Sequence, residues 1–344
     1  MKKINDMISL EQIKAPIAKE YEEFKKLFSS VFETEIQQYA GAFSDNFIAN
    51  EALLNRVIKY ISNKQGKQMR PVFSILCAKL CGVVNEVTYR VATSYELLHT
   101  ASLIHDDVVD NTFQRRGQPS VNAVFDNRTA VLVGDYLLSK SMSFISSTKN
   151  TVIFEQLANL GLMLSRGELL QLQHAYDIPT EEEYIDIIRK KTAILFIASA
   201  QSAAVSVNAT ETQFNALSRF AEYLGICFQI KDDILDYSPK AKIGKPTLND
   251  IREGKITLPL QHAIRVTSSQ QSSVILNAIK EGNFSEEFFY NIGMLVARNG
   301  GIEYAEKRMY YYKDEAIKAL DCFPESEVKE ALVNLLTLVL ERDY

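Results

Sequence analysis

An all-α fold in a single domain is predicted for this chain of 344 residues, and three observations predict it. Glycine (14) and proline (8) are sparse, so few points force a turn. Apolar residues recur at helical rather than alternating spacing in nearly every segment. No linker, internal repeat or low-complexity tract divides the chain, whose length suits one large helical domain. Four cysteines (Cys77, Cys81, Cys227, Cys322) without a CxxC pair read as core thiols of a reducing compartment. A net charge of −5 with no basic run argues against a nucleic-acid partner. The N-terminus lacks the continuous apolar stretch of a secretory signal, so the protein is expected in the cytoplasm.

Taken in order, residues 8–40 hold one or two amphipathic helices. Asn50 suits the cap of a helix running toward Asn63. A loop at 65–70 precedes Pro71, which fits the first turn of a helix ending near Gly82. Further helices are predicted at about 88–110, 127–147, 150–176, 181–208, 211–237, 256–268, 286–299, 300–321 and 326–342. Residues 192–210 carry no charge and are long enough to raise the question of a membrane span. Gln201, Asn208 and several small residues there fit a buried helix better, so no transmembrane segment is expected.

The chemistry gathers at two helix ends. Residues 97–110, LLHTASLIHDDVVD, close on Asp106, Asp107 and Asp110. Asp106 and Asp110 share a helix face, roughly 6 Å apart along the axis, and Asp107 is turned about 100° away. Three anions at the negative end of a helix dipole call for a cation. Far downstream, residues 228–236, FQIKDDILD, repeat the spacing with Asp232, Asp233 and Asp236. Two carboxylate sets on different helices, each followed by basic residues, describe a multi-metal site. Oxygen-only ligands select a hard cation, Mg2+ with Mn2+ as substitute.

Cations alternate with these anions along the chain: Lys67 and Arg70, then Arg115 and Arg116, then Lys191, Lys245 and Lys255. Arginine forks and mobile lysines beside metal-binding carboxylates suit a substrate carrying several phosphates. No grouping of nucleophile and base stands out. His99 lies about two turns before Asp106 and shares its face, within reach of a diphosphate. His105 serves at least to order the helix end, and Asp135 reads as a buried structural hydrogen-bond partner.

The segments GKQMRP, LLHTASLIHDDVVDNTFQRRG, LVGDYLL, KKTAILF, FQIKDDILDY and GKPTLNDIREGKITLP resemble, in order and spacing, the trans-isoprenyl diphosphate synthases, or polyprenyl synthetases, over about 60–260. The resemblance implies one domain over 1–344, an antiparallel helix bundle around a deep central cavity with the two Asp motifs facing each other near its mouth. It implies a homodimer and a head-to-tail 1′-4 condensation of isopentenyl diphosphate onto an allylic diphosphate, with up to three Mg2+. By the same resemblance Asp106, Asp110, Asp232 and Asp236 hold metal directly or through water, and Asp107 and Asp233 support them. Arg115, Lys191, Lys245 and Lys255 bind the allylic diphosphate, with Thr192 and Gln229 lining the site. Lys67, Arg70, His99 and Arg116 bind isopentenyl diphosphate.

Ala101 and Ser102 stand five and four residues before Asp106, where short-chain members of that family place an aromatic. Small residues there leave the path of the growing chain open, so a long all-trans product, hexaprenyl or longer, is expected. Such a chain suits a respiratory quinone, and peripheral membrane contact would serve its release. A terpene cyclase, a phosphohydrolase built on His105 and Asp106, and a non-catalytic subunit fit less well. The second Asp motif is intact, histidines number only four, and no motif position is lost.

Overall fold

The computed structural model describes residues 34–35, 38–39, 50–62, 69–115, 117–237, 248–282 and 284–342. Lys67, Arg116 and Lys245 lie outside the described residues. The order is α1 (Ala52–Ser62), α2 (Met69–Cys81), α3 (Glu86–Val109), a two-residue hairpin of β1 (Gln114–Arg115) and β2 (Gln118–Pro119), α4 (Val121–Val124), α5 (Asn127–Ser147) and α6 (Thr151–Gln173). Then come α7 (Glu181–Ile188), a π turn (Arg189–Ala193), α8 (Ile194–Ser206), α9 (Glu211–Asp236), α10 (Asn249–Arg252), α11 (Leu258–Arg265), α12 (Ser269–Lys280), α13 (Glu286–Arg298), α14 (Gly301–Ala319) and α15 (Glu327–Glu341).

Side-chain caps start the helices that matter most. Asn85, Thr180 and Thr210 each form a capping box, at α3, α7 and α9. Each box satisfies backbone donors that the first turn leaves without partners. The long helices α3 and α9 run in opposite roles: α3 packs chiefly on α5, whereas α9 packs chiefly on α14 and α8. One apolar core joins α2, α8, α9, α14 and α15 around Phe73, Phe196 and Phe220. Others fill the space between α3 and α5 and between α3, α6 and α8, and a fourth gathers α10 to α13.

The uncharged stretch forms α8, a helix of 13 residues. Its serines join neighbouring helices: Ser199 to Ser74 of α2 (2.5 Å), Ser202 to Tyr95 of α3 (2.8 Å) and Ser206 to Thr88 of α3 (2.7 Å). Buried hydroxyls are tolerated because they pair. Among the described residues no helix is long and apolar enough to cross a membrane.

Three features depart from the sequence reading. The single helix expected over 181–208 is broken by the π turn, whose extra residue swings Lys191 and Thr192 away from a plain α-helical register. Two glycines admit this widened backbone. A Cβ at Gly225 would lie 2.4 Å from Ala193 Cα, and one at Gly167 would lie 2.9 Å from Lys191 N. Helix α12 was not expected, because it buries only Ile279 and so shows little of the periodicity that marks a core helix. Cys322 is exposed and Cys81 half-buried, so only Cys77 and Cys227 are core thiols.

Candidate active site

The C-terminal ends of α3 and α9 carry the two aspartate sets, and within each set the three side chains take different positions. In the first, Asp106 is half-buried, Asp107 buried and Asp110 exposed. The Asp107 carboxylate accepts a hydrogen bond from Arg115 Nε at 2.7 Å, while its backbone oxygen accepts from Thr112 N and Asn122 Nδ2. Asp107 therefore ties the hairpin to the helix end. Burial raises the Asp106 carboxyl to about 6; Lys191 opposes that shift, and Asp110 and Glu168 add to it.

In the second set, Asp232 Oδ1 accepts from Arg342 Nη2 at 2.7 Å. The same guanidinium donates to Phe228 O at 2.7 Å and lies 3.8 Å from the Phe228 ring centre. Asp233 is buried and held at both oxygens, by Tyr184 Oη at 2.5 Å and Gln229 Nε2 at 2.9 Å. Burial drives its carboxyl well above the usual carboxylate range, and nearby Asp250 adds to the shift. Asp236 accepts from the backbone N–H groups of Asn249 (3.1 Å) and Asp250 (3.2 Å), so it also anchors the start of α10.

Lys191 pairs with Glu168 at 2.6 Å and donates to Gln171 at 3.0 Å. Lys255 pairs with Glu253. Burial disfavours the Lys255 ammonium, but Glu253, Asp250 and Asp110 outweigh burial and hold its pKa above the ordinary value. Asp110 caps the end of α3 and Asp250 lies on α10, so this ammonium feels carboxylates from both elements. A cavity of about 130 Å³ lies here, lined by Lys191, Thr192, Gln229, Asp233, Asp250 and Lys255.

Arg70 sits 5.2 Å from the Phe196 ring, which packs 5.8 Å from Phe228, with Arg342 on the far side. The two guanidiniums thus bracket an aromatic pair. His99 is half-buried on α3. His105 Nε2 lies 3.3 Å from Val131 O and 3.4 Å from Asp135, in a niche that Gly134 leaves open. The Asp135 side chain is 59% exposed, which corrects the reading of it as a buried partner: Val133 and Leu137 take the inward face of α5 and Asp135 faces out. Ala101 is buried among Ile75, Ile104, Ala130, Val133 and Leu137, between α3 and α5. Half-buried Ser102 donates to His99 O at 2.9 Å.

Sequence reasoning missed Glu168, Tyr184, Asp250 and Arg342. Glu168 and Gln171 share a helix face, and Asp250 lies between two basic loops, so those patterns could have drawn notice. Tyr184 and Arg342 carry no local signal at all. Among the described residues no three of these carboxylates are grouped closely enough to hold a metal by themselves, so the oxygen donors at the ends of α3 and α9 suit a hard divalent cation that keeps waters and shares phosphate oxygens.

The chain matches the polyprenyl synthetase family over residues 51–290. It is 37% identical over 294 residues to the octaprenyl diphosphate synthase of Haemophilus influenzae, covering 85% of this chain and 89% of the relative. A crystal structure of a polyprenyl synthase from Caulobacter crescentus, complexed with calcium and isoprenyl diphosphate, superposes with a TM-score of 0.86 at 30% identity, covering 94% of this chain and 98% of that one. A geranylgeranyl pyrophosphate synthase from Bacteroides thetaiotaomicron gives 0.80 at 40% identity, over 93% and 100%.

Proposed function

The chain belongs to the polyprenyl synthetase family, a family of prenyltransferases, and on that premise we propose that it lengthens an allylic diphosphate by head-to-tail condensation with isopentenyl diphosphate. The observation that carries this reading is a small cavity at the second aspartate helix whose lysines also act on the first: Lys191 on Asp106 and Lys255 on Asp110.

Asp106 and Asp110 on one side, and Asp232 and Asp236 on the other, would hold Mg2+. When bound, up to three such ions supply positive charge that offsets the charge on the departing diphosphate. The calcium in the Caulobacter relative's structure supports a divalent site. Lys191 and Lys255, with Arg115 and Lys245, hold the allylic diphosphate and stabilise it as the carbon–oxygen bond breaks and takes its electron pair. Lys67, Arg70, His99 and Arg116 hold isopentenyl diphosphate, whose double bond attacks the allylic carbon. The proton lost afterwards passes to the released diphosphate, so no side-chain base is required.

The octaprenyl relative and the small residues at Ala101 and Ser102 support a long all-trans product, suited to a quinone side chain. That product would lie in a deep cavity running beside α3. Exposed Leu132, Met142, Phe154, Leu162, Leu169 and Leu172 on α5 and α6 support a homodimer through those helices. The cytoplasm, with peripheral membrane contact for release, is the proposed location. The deciding assay incubates the protein with farnesyl diphosphate, excess labelled isopentenyl diphosphate and Mg2+, with and without chelator, and sizes the dephosphorylated products. A metal-dependent ladder ending at hexaprenyl or beyond is expected. A stop at the 20-carbon product would side with the geranylgeranyl relative and overturn the long-chain reading.

A further inference from the structure

Tyr184 is a buried phenol on α7, 49 residues before the carboxylate it binds. A phenylalanine would fill the same volume, with no hydroxyl to desolvate. The hydroxyl reaches Asp233 Oδ2 at 2.5 Å, and the other carboxylate oxygen accepts from Gln229 Nε2 at 2.9 Å. Gln229 Oε1 in turn accepts from Thr192 Oγ1 at 2.6 Å. Four side chains from α7, α9 and the π turn thus form one row along the cavity wall, with Thr192 at its end.

The row has a direction. Tyr184 donates to one oxygen of Asp233 and Gln229 Nε2 to the other, and the amide so held turns its carbonyl toward Thr192. Thr192 has one hydroxyl proton, and Gln229 takes it. Thr192 Oγ1 is then left with lone pairs alone to offer the cavity. Were Asp233 free to turn, the amide could flip and the threonine could aim its proton inward instead. An inward acceptor favours positive charge in the cavity; an inward donor opposes it. In the condensation proposed above, the allylic fragment gains positive charge as diphosphate departs.

We infer that Tyr184 is a positioning residue: it pins Asp233 so that Gln229 keeps one orientation and Thr192 faces the cavity as an acceptor. The inference rests on the prenyltransferase reading, which product formation by the unaltered chain tests separately. Because Tyr184 acts through Thr192, its removal should matter only where Thr192 has a hydroxyl to orient. The experiment is a double-mutant cycle on kcat and KM with Tyr184→Phe and Thr192→Val. Tyr184→Phe alone should lower kcat about tenfold, with KM for both diphosphates within about twofold. In the Thr192→Val background the same change should alter kcat by less than about twofold. An equal loss in both backgrounds, or a loss confined to KM, overturns the inference. Should Tyr184→Phe fail to fold, Gln229→Met interrupts the same row at nearly constant volume. Its loss must likewise vanish beside Thr192→Val, and an undiminished loss overturns the inference.

Discussion

Asp106 and Asp250 illustrate how the site sets itself against the fold. Burial lifts Asp106 to about 6 and, with Asp236 adding, lifts Asp250 to about 7, both above the 3.8 of an unperturbed aspartate. The folded state therefore binds protons that the unfolded chain has released, and stability falls as pH rises from about 4 through 7. Calorimetric melting in chelator should show Tm decreasing across that window. Saturating Mg2+ should remove the decrease, because a bound cation favours the ionised carboxylates. Arg342 makes a second residue-scale case. Replacing it with methionine takes the guanidinium from Asp232 and Phe228 O and should cost about 1 kcal/mol in urea unfolding, the pair being partly exposed. Lysine should not restore that loss, since it lacks the planar fork that serves both acceptors. The aspartate spacing was legible because three residues within five positions print directly onto a helix face. Their partners were not: Tyr184 and Arg342 arrive from separate helices, and no local pattern encodes which side chain crosses a gap.

Among the elements, the π turn does most to shape the site. Periodicity alone predicts one helix across it, since one extra residue in a turn leaves apolar spacing nearly unchanged. Its position depends on Gly225 and Gly167, far apart in sequence and legible only in three dimensions. Gly225→Ala would press a methyl against the Ala193 backbone, with an expected cost of about 1–3 kcal/mol. Because Lys191 and Thr192 ride on the displaced backbone, kcat should fall more than the loss of folded protein explains; urea melts and rate assays on one preparation compare the two. Helix α3 offers a parallel test. Ala101→Phe should shorten the product if the chain passes that face, and since Ala101 is enclosed by α5 residues it should also lower Tm. An unchanged product with a lowered Tm would move the length determinant elsewhere.

For the whole molecule, the helical class and most helix positions were readable, because a periodic chain sparse in glycine and proline has few other ways to bury its apolar faces. What local patterns did not convey was which long helix packs on which. The face formed by α5 and α6 remains apolar and exposed, and Leu162→Glu with Leu169→Glu should convert a dimer to a monomer in sedimentation. Arg342, meanwhile, stands 114 residues beyond Phe228, the backbone it grips. A ribosome making this protein lays down both aspartate helices well before that arginine. A nascent chain can collapse around α3 and α9 and still have Asp232 without its guanidinium. Completion of the second aspartate set is thus tied to the synthesis and docking of α15, so translation itself delays the moment at which the site is finished.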